Sequence, residues 1–266
     1  MTEPVESWVP AGVDVTKPSA ARAYDAFLGG SHNFEADREF ARKAEEVFPG
    51  VALSCQANRD FLRRAVLFGL NSGVRQFLDL GSGIPTVGNV HEVAQAVDPQ
   101  ARVVYVDNEP VAVAHSELLL ANNDNAIIVR GDVRDPDHLL EESTRLIDFD
   151  EPVMLLMLAL LHFIPDDDEP EKLVARFREA LPSGSYLAIT HATDAARPEE
   201  MKALEDLYAT SSNPAVARSP EWIKDLFGDF ELVSPGAVFV PEWRPDAETT
   251  SNPENYIFFG GVGKKN

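Results

Sequence analysis

The chain has 266 residues, 44% of them hydrophobic and 25% charged, which suits one large globular domain or one domain with a small extension. Its formal net charge of −21 opposes non-specific attachment to nucleic acid or to anionic membrane, because both need a positive field. The single cysteine, Cys55, excludes an intramolecular disulfide and a cysteine-based zinc site, and reads as a small buried thiol in a helix.

The first ten residues, MTEPVESWVP, lack a charged-then-apolar leader, and no apolar run reaches about 18 residues, so a cytoplasmic protein is expected. Residues 1–17 read as a loose arm in which Trp8 and Val9 are the candidate anchors. Ser19 can cap a helix through Tyr24, Phe27 and Leu28 that Gly29-Gly30 ends. Arg22, Tyr24, Asp25, Ser31, His32 and Asn33 crowd polar chemistry around that joint, as lids and substrate-binding loops do. A second helix is predicted over 35–48, stopped by Pro49-Gly50. A third runs over 51–71, with Leu53, Ala57, Phe61, Leu62, Ala65, Val66 and Phe68 on a 3.6-residue period. Residues 1–73 are therefore expected to form an arm and a helical cap, and residues 74–266 a sheet-bearing domain, together one compact unit.

The sheet opens with a short apolar run over 77–80 that carries Asp79. The chain turns through Gly81-Ser82-Gly83 and can be helical from Gly88 onward. Strand, glycine turn and helix form the opening unit of a nucleotide-binding α/β sheet. A second strand, over 102–106, ends in Asp107, close to the spacing at which an acidic residue reaches a ribose hydroxyl. A dinucleotide fingerprint needs a glycine at position 86, where Thr86 follows Pro85. An NAD-linked oxidoreductase is thus disfavoured, and a nucleoside ligand without phosphates, such as S-adenosylmethionine, fits better. Further on come a helix over 110–121, a strand over 126–130 followed by Gly131-Asp132, and a short helix over 135–142. The apolar run 152–161 reads as a central strand covered on both faces, leaving at His162. The acidic run 166–169 precedes a helix over 170–181, and a strand over 185–190 exits at His191. Helices over 198–210 and 220–227 and strands over 230–233, 238–240 and 256–260 complete the chain. The alternation predicts an α/β fold, a mainly parallel sheet with helices on both faces and a ligand at the carboxyl ends of its strands.

LDLGSG at 78–83, YVDN at 105–108 and RGDV at 130–133 resemble the first three motifs of class I S-adenosylmethionine-dependent methyltransferases. More specifically, ARAYDAFLGGSHNFEADR, GIPTVGNVHEVAQ, VVYVDNEPVAVAHSE and the LHFIPD stretch resemble an actinobacterial family assigned to those methyltransferases and long catalogued as a domain of unknown function. The resemblance runs over nearly the whole chain. It implies a Rossmann-like fold with a mainly parallel seven-stranded sheet, and S-adenosylmethionine as cofactor. The cofactor-binding residues it implies are Asp79, Gly81, Ser82, Gly83, Asp107, Asn108, Asp132 and Val133, with Asn33 from the N-terminal block. In this reading Asp107 holds the ribose hydroxyls, Asp132 and its neighbour meet the adenine, and Asp79 orients the loop or the methionine ammonium. Pro85 stands where the broader class often has a third glycine.

Methyl transfer to a hydroxyl or amine can use a base. His162 and His191 stand at predicted strand exits facing the cofactor, with Tyr24 and His32 as alternatives from the cap. His91 reads as packing or solvated, and His115 and His138 as surface residues of helices. No two histidines have zinc-binding helical spacing, and the acidic run 166–169 reads as a solvated helix start, so no metal is expected. The expected function is methyl transfer to an unidentified small molecule; a non-catalytic S-adenosylmethionine sensor is the alternative. No nucleic-acid or membrane partner is expected, and the chain is expected to be a monomer or homodimer.

Overall fold

The computed structural model describes residues 9–10, 12–86, 88–247 and 252–266, so the expected anchoring by Trp8 lies outside the described residues. Ser19 accepts a hydrogen bond from the Arg22 backbone N–H and opens α1 (Ala20–Phe27). Asp37 accepts from the Phe34 N–H at the start of α2 (Glu35–Val47). The long helix α3 (Val51–Asn71) buries Phe61, Leu62, Ala65 and Val66 of the predicted stripe, whereas Leu53, expected on it, is exposed on the helix's first turn.

Five parallel strands follow: β1 (Gln76–Leu80), β2 (Arg102–Asp107), β3 (Ala126–Arg130), β4 (Met154–Leu158) and β5 (Tyr186–Ala192). The helices between them are α4 (Val90–Val97), α5 (Pro110–Leu120), α6 (Pro136–Ser143) and α7 (Pro170–Ala180). After β5 come α8 (Pro198–Tyr208), α9 (Pro220–Asp225) and two-residue strands β6 (Glu231–Leu232) and β7 (Val238–Phe239). The last strand, β8 (Phe258–Lys264), runs antiparallel to β5. The order is β3-β2-β1-β4-β5-β8-β6, seven strands in one path, with β7 pairing on β8 as an eighth. Strand order reverses between β1 and β4, where open α/β sheets bind ligands.

Alternate residues of each strand face opposite layers. Phe77, Tyr105, Met154 and Leu156 join the core beneath α3 and α4. Leu78, Val104, Leu155 and Met157 join the core with Val174 and Phe177 of α7 and Ile223 of α9. Burial on both faces explains why β4 reads as one unbroken apolar run. Trp243, fully buried, meets Phe61 edge-on at 5.1 Å. Its carbonyl accepts from Arg64 Nε, which ties the segment before β8 to α3.

Four expectations change. β4 ends at Leu158, short of position 161, because Ala159 takes a left-handed φ of 52° and donates its N–H to Thr190. β5 continues past position 190 because β8 pairs with it as far as Ala192, placing His191 inside the strand opposite Phe259. β8 reaches Lys264 through glycines that strand propensity disfavours. A Cβ at Gly260 would lie 1.9 Å from the Ile189 carbonyl oxygen, so the close pairing of β5 and β8 requires glycine there. His91 packs as expected, its Nδ1 2.8 Å from the Tyr105 hydroxyl. His115 is half-buried and lies 3.8 Å, ring to ring, from His32, whereas a surface position was expected.

Arg22 ties the N-terminal helices to the sheet. Its guanidinium is buried and meets Asp37 at 2.9 Å and Glu109 at 3.0 Å. It also donates to the carbonyls of Asp14 and Lys17. Removing one partner of a buried ion pair leaves charge without compensation, which costs about 3–5 kcal/mol. Arg22→Met should therefore lower unfolding free energy by about 3 kcal/mol or more, read from urea denaturation, whereas an exposed pair such as Arg42–Glu39 should contribute under about 1 kcal/mol.

Candidate active site

The turn after β1 is wound tightly. Gly81 has φ +69°, and a Cβ there would strike Leu160 at 2.6 Å. The backbone N–H groups of Gly81 and Ser82 both donate to the Val106 carbonyl, which docks the turn onto β2. Gly83, also at positive φ, donates its N–H to Asp107 Oδ2 at 2.7 Å, and nothing lies within 4 Å of where its Cβ would stand. Glu109 donates its N–H to the other Asp107 oxygen at 2.8 Å. Asp107 is thus aimed by two backbone donors.

A cavity of about 190 Å³ opens at these strand ends. Asp79, Gly81, Ser82, Gly83, Asp107, Asn108, Asp132 and Val133 all line it, gathered from the tips of three adjacent strands. Burial pushes the Asp79 carboxyl up to about 7, against the opposing pull of the Arg59 guanidinium, with the Asp107 charge adding to the rise. Burial likewise pushes Asp107 up to about 6, against its backbone donors. Asp132 is held down at about 2, chiefly by hydrogen bonds from Arg134, and also accepts from Asn108 Nδ2 at 3.1 Å. Arg134 bridges onward to Asp168 at 3.2 Å.

Of the expected catalytic groups, Tyr24 and His162 line the cavity; His191 and His32 do not. The Tyr24 hydroxyl donates to the Cys55 carbonyl at 3.1 Å and accepts from Asn58 Nδ2 at 3.0 Å. Burial raises its pKa well above the usual tyrosine value, so its proton stays in place. His162 Nδ1 is buried without a hydrogen-bond partner. Burial, His191 and Arg218 all hold this imidazole well below its usual pKa, hence neutral. His191 is fully buried, its Nδ1 2.7 Å from the Ala192 carbonyl oxygen and its Nε2 3.2 Å from Arg218 Nη1. The continuation of β5 leaves it packed against Arg218 and the Trp222 ring. Asn33 is not brought to the cavity either: its Nδ2 donates to Asp25 and to the Gly30 carbonyl, and its Oδ1 accepts from Arg38. Of the polar cluster expected at this joint, Asp25 and Asn33 shape the α1–α2 turn, Arg22 pairs with Asp37 and Glu109, and Tyr24 lines the cavity.

Sequence reasoning missed Asn58 and Arg59 of α3, which both line the cavity. Asn58 falls in phase with Cys55, Phe61 and Leu62 on the buried stripe. A polar side chain in an apolar stripe was the available signal. Its Oδ1 accepts from the Thr190 hydroxyl at 2.7 Å, and Thr190 in turn accepts from the Ala159 N–H. Arg59 donates to the Gly88 carbonyl and so holds the loop beyond the glycine turn.

The model of the S-adenosyl methyltransferase family matches residues 6–266. The chain belongs to this family. S-adenosylmethionine is accordingly its cofactor. A candidate methyltransferase from Thermobifida fusca is 43% identical, with 97% of this chain and 99% of that one covered and a TM-score of 0.91. A DUF574-family protein from Streptomyces avermitilis is 36% identical, with 95% and 99% covered and a TM-score of 0.91. The plantazolicin methyltransferase BamL, solved with a triazolic desmethylPZN analog and S-adenosylhomocysteine, shares the fold alone: 10% identity, 92% and 95% covered, TM-score 0.54. No curated protein matches the chain.

The site suits the family's cofactor. Its chemistry is that of buried acceptors beside an open glycine turn, and Ser82 Oγ at that turn is buried without a partner. Among the described residues, no group of three histidine, cysteine or acidic side chains is placed to hold a metal, and no helix is long and apolar enough to cross a membrane.

The raised Asp79 pKa gives a signed test. The folded state binds this proton more tightly than the unfolded chain, whose carboxyl titrates near its ordinary value of 3.8. Stability is therefore lost as pH rises from about 4 to about 7, and the loss is complete above that window. Asp79→Asn should raise the melting temperature of the ligand-free protein at pH 8 and change it little at pH 4. The same variant should weaken S-adenosylhomocysteine binding, measured calorimetrically, by about tenfold or more, since a hydrogen bond to a charged group is worth about 1.5–3 kcal/mol.

Proposed function

We propose that this chain transfers the methyl group of S-adenosylmethionine to a small molecule, and that the strand-tip residues hold the cofactor as follows. Asp107 takes the ribose hydroxyls: an ionised carboxylate accepts at about four lone-pair positions, and the two backbone donors occupy only two. Asp132, fixed by Arg134 and Asn108 and ionised at any physiological pH, accepts from the adenine amino group, with the buried Val133 against the ring. Asp79 pairs with the methionine ammonium and Arg59 with its carboxylate. The observation that carries the reading is the convergence of Asp79, the 81–83 turn, Asp107 and Asp132 on one cavity at the sheet's switch point.

When bound, the cofactor supplies an electrophilic methyl group on a sulfonium. This chain's task is then to exclude water and to hold the acceptor in line, which accounts for much of the rate in such displacements. His162 is the base candidate that remains at the cavity. Being neutral, it can take a proton from an incoming hydroxyl. Tyr24, its own proton committed to the Cys55 carbonyl, positions neighbours through its remaining lone pair and does not act as a base.

Full-length protein should gain thermal stability from S-adenosylmethionine and S-adenosylhomocysteine and none from NAD; no shift with the first two removes the proposal. With small-molecule acceptors, turnover is read as accumulation of S-adenosylhomocysteine. His162→Ala should lower kcat about 100-fold or more, while S-adenosylhomocysteine affinity stays within about twofold. Because the imidazole pKa is depressed, kcat should be flat through neutral pH and fall only in acid, below the ordinary histidine range. An unchanged kcat in the variant rejects the base assignment.

A further inference from the structure

The cavity is chemically divided by strand order. Its polar wall comes from β1, β2 and β3, on one side of the β1–β4 switch. On the other side, beyond β4, the wall is made by Phe163, Met201, Leu204, Tyr208, Ile257 and Phe258. The Phe163 and Tyr208 rings lie 5.6 Å apart and tilted, a surface suited to a flat ring. Among the described lining residues the guanidinium groups are those of Arg59 and Arg134, both on the polar side. Three polar side chains on the apolar side are bound to the frame. Asn58 accepts from Thr190, Asn213 accepts from the Ala20 N–H, and Glu205 accepts from the Ala217 N–H. His162, by contrast, has a ring nitrogen without a partner.

We propose that this apolar chamber takes an uncharged aromatic acceptor that presents a hydroxyl to His162. The inference rests on the cofactor reading above and extends it to the substrate class. An anionic acceptor would be desolvated with no cation facing it, and an ammonium would find the chamber's one carboxylate, Glu205, already facing Lys202 at 3.7 Å and accepting from the Ala217 N–H. A neutral ring loses little on leaving water and gains from the apolar wall. A hydroxyl, unlike a neutral amine, benefits from a base at the moment of attack. The acceptor oxygen forms a bond to the methyl carbon, and the methyl–sulfur bond breaks with its electron pair going to sulfur. The hydroxyl proton passes to the His162 ring and then to solvent. The products are a methyl ether, neutral S-adenosylhomocysteine and one proton.

The test uses the full chain saturated with S-adenosylhomocysteine and three probes of one shape: naphthol, naphthoate and naphthylmethylammonium. Naphthol should bind at least about tenfold more tightly than either charged probe, by fluorescence titration. Leu204→Glu, which puts a charge in the chamber, and Ala215→Phe, which fills it, should each weaken naphthol about tenfold or more. Both should leave S-adenosylhomocysteine affinity within about twofold. Two variants are used because Leu204 is buried and its replacement can perturb folding, whereas Ala215 is half-exposed on an irregular segment. Equal or tighter binding of a charged probe, or naphthol affinity unchanged in both variants, overturns the proposal. S-adenosylhomocysteine binding without naphthol binding overturns this inference and leaves the cofactor reading standing. Failure of S-adenosylhomocysteine itself to bind overturns both.

Discussion

Two carboxylates buried at the tips of adjacent parallel strands govern this structure. Asp79 sits opposite Tyr105 in the β1–β2 register, and Asp107 ends β2 two residues later. Each lies in a setting that resists its ionisation, and the Asp107 charge adds to the resistance at Asp79. The compensation is local and directional. Backbone N–H groups of Gly83 and Glu109 hold Asp107, and Arg59 offsets Asp79. The tight glycine turn brings the Gly83 N–H to Asp107, and α3 brings Arg59 to Asp79. Such a pair weakens the empty protein and, in the role proposed for it, is relieved by a cationic, hydroxyl-bearing ligand.

Two buried guanidinium groups fix the surroundings of this pair. Arg22 joins the N-terminal helices to Glu109, the residue after Asn108, so α1 and α2 are held against the cofactor end. Arg218 does the same for the chain after β4. It donates to the carbonyls of Leu161 and Ile164, meets Asp166, and stacks over Trp222 at 4.3 Å. The short 3₁₀ turn Leu161–Phe163, which carries His162, is thereby pinned on both sides. Arginine suits this role because its planar fork serves several acceptors at once. A hydrogen-bonded chain from Ala159 through Thr190, Asn58 and Tyr24 to Cys55 crosses beneath the cavity. It ties β4, β5, α3 and α1 into one frame, so the apolar chamber and the polar groove keep a fixed relation.

Much of this was legible beforehand. Strand, glycine turn and a distant aspartate are local or short-range patterns, and period-2 and period-3.6 burial is written residue by residue. Thus β3 and α3 run over the residues expected, and Asp79, Gly81, Ser82, Gly83, Asp107, Asn108, Asp132 and Val133 meet at one cavity. The roles of His191 and Asn33 were decided elsewhere. Whether β5 stops at Thr190 or runs on depends on β8, whose Phe259 and Phe258, nearly seventy residues away, pair with His191 and Ala192. Whether Asn33 faces a ligand or braces a turn depends on Asp25 and Arg38 closing around it.

The sequence by itself determined the order of elements, the three strand-tip motifs and hence the class of ligand, because each is carried by neighbouring residues obeying backbone geometry. Only the tertiary structure decided which polar side chains remain uncommitted: His162 does, while Tyr24, Asn58, His191 and Asn33 do not. The physical reason is that a hydrogen-bonding group's availability depends on every partner within about 3 Å, and those partners come from strands and helices far apart in the chain.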